Sequence, residues 1–128
     1  MKFLAAGALN AALSILLGAF AAHGLKQRLD AEALAIFHTG VDYHAYHALG
    51  LMLVGLLIHN RIAPSHARIA GKLMLAGILI FSGSLYLLAA TDLKWLGAIT
   101  PIGGVSFIAA WLTLAVGLWK YRKDDPEP

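Results

Sequence analysis

The stretch FLAAGALNAALSILLGAFAA, residues 3–22, contains no charged side chain in 20 positions. About 20 helical residues cross a hydrocarbon core of roughly 30 Å, so this stretch predicts a membrane span. Three further apolar stretches, at about residues 40–58, 70–90 and 96–119, have a similar length and character. The connections between them are short, which favours antiparallel neighbours. The sequence therefore predicts an all-α integral membrane four-helix up-and-down bundle.

The composition supports a membrane protein of one domain, residues 1–128. The chain is 59% hydrophobic and 13% charged, with a mean hydropathy of +0.72, which leaves too few polar residues for an ordinary water-facing surface. The absence of cysteine excludes disulfides, thiolate metal sites and cysteine nucleophiles. The net charge is +3, but no basic stripe interleaved with aromatic residues is present, so we predict membrane lipid and no nucleic acid as a partner.

The N-terminal stretch also has features of a secretory signal peptide, with Lys2 before the apolar run and Ala19-Phe20-Ala21 near its end. Signal peptides have apolar regions of about 7 to 15 residues, which is shorter than this one. We therefore expect the stretch to be retained as the first span.

The basic residues predict the orientation, because Lys and Arg are enriched on the cytoplasmic side of membrane proteins. One side of the predicted bundle carries Lys2, Arg61, Arg68, Lys72, Lys120, Arg122 and Lys123. The other side carries only Lys26, Arg28 and Lys94. Both termini are therefore predicted to lie in the cytoplasm, with the protein in a bacterial inner membrane.

The connection between spans one and two, KQRLDAEALAIFHTG at residues 26–40, has a helical apolar pattern of its own. Asp30 is a suitable N-cap, and Thr39 and Gly40 could turn the chain into the membrane. The pattern predicts a possible short interfacial helix here. At the other end of the chain, residues 120–128, KYRKDDPEP, predict a short disordered tail.

Polar groups from several helices are predicted to meet at the outer end of the bundle. His23 closes span one, the segment FHTGVDYHAYHALGL at residues 37–51 opens span two, Tyr86 ends span three and Thr100 opens span four. Ionisable groups within a membrane are costly, and each is a candidate functional residue. The mid-membrane amide of Asn10 also needs a partner, for which we favour a hydrogen bond to another helix.

Within span two, Tyr43 and His47 are four residues apart and share a helix face. We predict that they bond to polar groups of spans one, three or four, while His38 and His44 lie among the lipid headgroups. Asp42, His44 and His47 are weak candidates for zinc, copper or iron ligands. His44 and His47 have no carboxylate on their own face, so no metal site is predicted.

Four motifs, GAFAAHGLK, FHTGVDYHAYHALGL, FSGSLYLLA and TPIGGVSFIAAW, resemble in order and spacing those of a family of small bacterial inner-membrane proteins of unknown function. The family has four helices and a eukaryotic relative known as a small transmembrane protein. His44 stands where many relatives carry glutamine, which argues against a shared histidine metal site. Together with the topology, the resemblance implies a polar cluster of eight residues. These are His23, Thr39, Tyr43, His47, Ser82, Ser84, Tyr86 and Thr100.

The function predicted from the sequence is non-enzymatic binding of a small ligand or lipid at this cluster. The chain contains no G-x-S-x-G, H-E-x-x-H or P-loop pattern, so no catalytic residue and no cofactor are predicted. The alternative is an oligomeric transporter or channel subunit for a small solute, ion or proton. This alternative requires a homo-oligomer, because four helices leave little room for a pore. A metal or haem protein ranks behind both.

Overall fold

The computed structural model describes residues 1–122, which form helices joined by short connections. The helices are α1 at Lys2–His23, α2 at Ala31–His59, α3 at Pro64–Gly77, α4 at Gly83–Thr91 and α5 at Leu96–Lys120. A 3₁₀ turn at Leu25–Gln27 follows α1, and a π turn at Ile78–Ser82 joins α3 to α4. The predicted tail beyond residue 122, including Lys123, lies outside the described residues.

Four helical segments are long and apolar enough to cross a membrane, as the sequence predicted. They are Lys2–Gln27, Ala31–His59, Pro64–Thr91 and Leu96–Lys120. The third consists of α3, the π turn and α4 in continuous succession, and we refer to it as the α3–α4 span. Large apolar side chains remain exposed along every segment, for example Leu13, Leu53, Leu79 and Ile108.

The structure does not show the separate interfacial helix that the sequence suggested. Asp30 is an N-cap as predicted, because its Oδ1 accepts a hydrogen bond from the Ala33 amide at 2.8 Å. The helix that begins there continues through Thr39 and Gly40 to His59. Thr39 donates its hydroxyl to Ala35 O, 3.1 Å away in the same helix. Gly40 does not form a turn. It allows α2 and α4 to approach closely, because a Cβ at this position would lie 2.8 Å from Tyr86 Cε1.

The spans pack in chain order, with α1 against α2, α2 against the α3–α4 span, and that span against α5. Apolar side chains gain little by leaving lipid for one another, so membrane helices associate through close packing. Small residues make this close packing possible. On α5, Gly103, Ala110 and Gly117 are buried, at the seven-residue spacing that a packing face requires. A Cβ on Gly103 would lie 2.7 Å from Phe81 Cβ, so the helices could not approach this closely with any larger residue.

Two apolar clusters lie at different levels of the bundle. The smaller one, near the ends of the spans that carry His23 and Thr91, is built on Ala21, Phe37 and Ala89. The larger one, towards the opposite end, consists of Leu51, Val54, Ala67, Ala70, Met74, Ile78, Phe107, Ala110 and Leu114. Along α2 and the α3–α4 span, the buried polar residues fall between these clusters.

Candidate functional site

His44 connects three helices through hydrogen bonds at both ring nitrogens. Its Nε2 lies 2.9 Å from Asn10 Oδ1, and its Nδ1 lies 2.9 Å from the Tyr86 hydroxyl. Asn10 Nδ2 donates to Ala6 O at 2.8 Å, so Oδ1 is the acceptor and His44 Nε2 carries the proton. Nδ1 of the neutral ring then accepts from the Tyr86 hydroxyl. Asn10, His44 and Tyr86 form a directional chain from α4 through α2 to α1, which we call the polar chain.

The position of His44 corrects the prediction that it lies among the headgroups. It is 2% exposed, and it lies 13 residues into α2, about 20 Å from the helix start at 1.5 Å per residue. The error arose because span two was predicted to begin at residue 40, which placed His44 in its first turns. The predicted interhelical hydrogen bond of Asn10 is confirmed, and His44 is the partner that this amide required.

His47 connects α2 to α5. Its Nδ1 lies 2.7 Å from Tyr43 O and therefore donates, while its Nε2 accepts the Trp111 indole N–H at 3.0 Å. Its ring stacks on Phe107, with 3.4 Å between the ring centroids. The predicted bond to span four is confirmed, but its partner was missed. An indole N–H in the middle of an apolar span needs an acceptor. The sequence could therefore have indicated that Trp111 bonds to a polar group of another span.

Tyr43 lies at the exposed surface of the bundle instead of inside it. It is 41% exposed, and its neighbour Tyr46 is 59% exposed. The Tyr43 ring packs against Phe81 of the π turn at a centroid distance of 4.7 Å. The Tyr43 ring thus contacts the α3–α4 span, but the predicted bond of Tyr43 to a polar group of another span is wrong, because the described residues provide no hydrogen bond to its hydroxyl.

The remaining predicted residues divide into two groups. Ser82 donates to Gly40 O at 2.8 Å, and the Ser84 and Thr100 hydroxyls are 2.6 Å apart, so all three connect neighbouring spans. His23 and Thr39 are exposed, and neither joins the polar chain. The structure therefore does not gather the predicted residues in one place: Tyr86 belongs to the polar chain and His47 to its pair with Trp111, both deeper in the bundle than His23 and Thr39.

The weak metal candidates are not arranged as a ligand set. Asp42 is exposed, and both ring nitrogens of His44 and of His47 are used in hydrogen bonds. Across residues 1–122, no three His, Asp or Glu side chains are grouped so that they could hold a metal ion.

A groove with a volume of about 470 Å³ opens at the surface between α2 and α5. The π turn contributes Phe81 to its floor, and such turns are frequent at functional sites. Gly104 leaves space on the α5 side, since a Cβ there would have Phe81 Cδ2 as its nearest neighbour at 3.7 Å. We call this feature the aromatic groove. Its lining residues are Tyr43, Tyr46, His47, Phe81, Gly104, Phe107, Ile108 and Trp111.

A second, polar pocket of about 340 Å³ lies at the opposite side of the fold from the α2–α3 connection, between the start of α2 and the end of α4. Its lining includes Arg28 and Lys94 as well as Asp30, Glu32 and Asp92. Lys94 Nζ lies 2.8 Å from Asp92 Oδ1, and this hydrogen bond raises the pKa of Lys94. Because charges of both signs are present, the pocket does not favour a ligand of one charge.

Comparison with known families identifies the chain. The sequence profile of DUF423, a protein family of unknown function, matches residues 17–104, a range that includes the polar chain residues His44 and Tyr86. The chain belongs to the DUF423 family. The resemblance seen in the four sequence motifs is thus confirmed.

Relatives of this DUF423 chain are named membrane proteins. The UPF0382 membrane protein YwdK of Bacillus subtilis is 50% identical over 119 residues, which cover 93% of this chain and 97% of the relative. A UPF0382 membrane protein of Haemophilus influenzae is 42% identical over 123 residues, covering 94% of this chain and 96% of the relative. No solved structure matches the chain. Together with the four candidate spans, these relatives show that the DUF423 chain is a bacterial membrane protein.

Proposed function

We propose that this membrane protein is a non-enzymatic binding protein that takes a flat, lipid-soluble ligand in the aromatic groove. The observation that carries the proposal is the groove itself, which is walled by aromatic rings and opens at the surface that would face lipid. A volume of about 470 Å³ lies within the usual range of about 300 to 1,000 Å³ for small-molecule sites.

Buried polar residues away from the groove are engaged in bonds between helices. His44, Tyr86 and Asn10 are bonded to one another, and Ser82, Ser84 and Thr100 bond to neighbouring spans. Among the described residues, no buried side-chain nitrogen or oxygen lacks a hydrogen-bond partner. These bonds join the helices to one another, which gives the residues a structural role and leaves the aromatic groove as the candidate ligand site.

Hydrogen bonding and ring packing within the lining give the groove a fixed shape, which reduces the entropy lost on binding. Trp111 is held by its hydrogen bond to His47, and the His47 ring is stacked on Phe107. Phe107 and Phe81 pack with their ring centroids 5.5 Å apart. The walls are therefore positioned by contacts between three spans and do not depend on a ligand.

A larger side chain that fills the groove should abolish ligand binding. We would use anthracene as the probe and measure energy transfer from Trp111 in protein reconstituted into liposomes. Trp95→Phe and Trp119→Phe remove the other two tryptophans, both of which are exposed. We expect a saturable signal that is lost in the Gly104→Leu variant, because the added side chain enters the groove.

The matched control for this experiment is Gly97→Leu, the same substitution in the first turn of the same helix. A Cβ at Gly97 would lie 3.8 Å from Leu88 Cδ2, which is an ordinary contact, and Gly97 does not line the groove. The control should retain the saturable signal. Equal, non-saturating energy transfer in both variants would mean that anthracene only partitions into lipid.

We also propose that both termini lie in the cytoplasm, on the basis of the excess of Lys and Arg on that side. Because the chain lacks cysteine, single cysteines report topology without background labelling. Ser65 and Leu93 are exposed residues in or beside opposite connections. An impermeant maleimide should label the Leu93→Cys variant in intact spheroplasts and the Ser65→Cys variant only after lysis. The reverse labelling pattern would show that both termini lie on the outer side of the membrane.

A further inference from the structure

We propose that the ligand of the aromatic groove is a quinone, a flat ring carrying carbonyl groups, and this inference rests on the proposed function. Tyr43 and Tyr46 supply the chemistry that selects this class. Both residues line the groove, and their rings lie 5.8 Å apart on one side of α2. Within residues 1–122, neither hydroxyl has a hydrogen-bond partner in the protein, whereas the deeper polar groups do.

The position of Tyr43 along the bundle favours an acceptor for its hydroxyl. Tyr43 lies 12 residues into α2, about 18 Å along the helix at 1.5 Å per residue. Phe81, which packs against Tyr43, lies 10 residues before the end of the α3–α4 span, about 15 Å from that end. Water does not supply partners in the hydrocarbon region, so an unbonded hydroxyl there is costly.

The other polar atoms of the groove are already used. His47 Nε2 and the Trp111 indole N–H are bonded to each other, and His47 Nδ1 donates to Tyr43 O. The groove therefore offers a ligand two hydroxyl donors and a set of aromatic faces, with no charged group among its lining residues. The complementary molecule is neutral and flat, and it carries oxygen acceptors.

A quinone meets these conditions, and the main components of a lipid bilayer do not. Its ring can pack against the Phe81, Phe107 and Trp111 side chains, and its carbonyl oxygens can accept from Tyr43 and Tyr46. The open side of the groove leaves room for an apolar tail to extend into lipid. A saturated acyl chain has neither a flat face nor an acceptor, so it would leave both hydroxyls unbonded.

Two probes in the single-tryptophan background test the ligand class. A tailless methylated naphthoquinone, which quenches indole fluorescence, is compared with anthracene, which has no carbonyl group. The Tyr43→Phe/Tyr46→Phe variant keeps both rings and removes only the hydroxyls. We expect its half-saturation concentration for the naphthoquinone to rise by about tenfold or more, since each hydrogen bond contributes a factor of several. Its half-saturation concentration for anthracene should rise by a much smaller factor, and denaturant unfolding of the variant checks that it is folded.

The outcomes separate the ligand class from the proposed function. If anthracene binds saturably and loses binding in Gly104→Leu, but the tyrosine variant leaves naphthoquinone binding unchanged, the groove is a site and the quinone inference is wrong. If the tyrosine variant loses the binding of both probes equally, the inference is overturned as well. The hydroxyls would then maintain the shape of the groove and would not select a ligand with carbonyl groups. If neither probe saturates in the unmodified groove, the proposed function fails and the inference fails with it.

Discussion

The Gly103→Ala variant should lose about 3 kcal/mol of its free energy of unfolding, near the upper end of the range for overpacked helix contacts. A Cβ on Gly103 would lie 2.7 Å from Phe81 Cβ and 2.8 Å from Phe81 Cα, and it would also meet the Phe81 backbone nitrogen. A backbone cannot move aside as a flexible side chain can. The α3–α4 span and α5 must therefore separate at this contact. Denaturant unfolding in mixed micelles measures the loss.

The adjacent Gly104→Ala substitution is the control for Gly103→Ala. Its Cβ would lie 3.7 Å from the Phe81 ring, which is an ordinary van der Waals distance. Alanine is also a better helix former than glycine, by about 0.5 to 1 kcal/mol. We expect Gly104→Ala to be neutral or slightly stabilising. Equal stabilities for the two variants would contradict the close packing of α5 on Phe81.

The second large effect is expected at His44. The His44→Ala variant should lose about 2 kcal/mol, because two interhelical hydrogen bonds disappear, which average about 0.6 and reach about 1.7 kcal/mol each in membrane proteins, and because the buried ring leaves a cavity. Asn10 Oδ1 and the Tyr86 hydroxyl lose the partners they have in the native chain. His38→Ala, at an exposed position of the same helix, should change stability by no more than about 0.5 kcal/mol. Denaturant unfolding of both variants under the same conditions measures the two changes in free energy of unfolding.

Two further variants show whether His44 acts through the polar chain. The His44→Gln side chain keeps one donor and one acceptor, so it should recover most of the stability lost in His44→Ala. The Asn10→Ala and His44→Ala changes should be less than additive when combined, with a coupling energy of at least about 0.5 kcal/mol. Full additivity would mean that the 2.9 Å contact between Asn10 and His44 contributes nothing to stability.

The parts of the fold that depend on local sequence could be predicted. Hydropathy located the four spans, and the Asp30 side chain predicted that a helix begins at this position. Each of these features depends on residues within one helix, so a single sequence contains the necessary information.

The deeper site could not be predicted, because it depends on the relative positions of separate helices. Extending α2 back to Ala31 places His44 well inside the bundle rather than in the first turns of its span. The partner of His47 is Trp111, 64 residues away in sequence, and hydropathy does not indicate which helices become neighbours. The floor of the groove also depends on Phe81 in the π turn, which the ordinary helical period of 3.6 residues does not describe.

The placement of the two polar regions suggests a division of roles within one small bundle. The polar chain and the Ser84–Thr100 contact use their hydrogen-bonding groups to join neighbouring helices. The aromatic groove instead contains Tyr43 and Tyr46, which are exposed at the surface of the bundle. On this account, variants of His44 change stability first, whereas variants of Gly104 change ligand binding first.

The most direct test of the binding role is saturable energy transfer from Trp111 to anthracene, compared between Gly104→Leu and Gly97→Leu. The two variants carry the same added side chain on the same helix, and only position 104 lines the groove. We predict that saturation is lost in Gly104→Leu and retained in Gly97→Leu. Identical titration curves for the two variants would contradict a ligand site between α2 and α5.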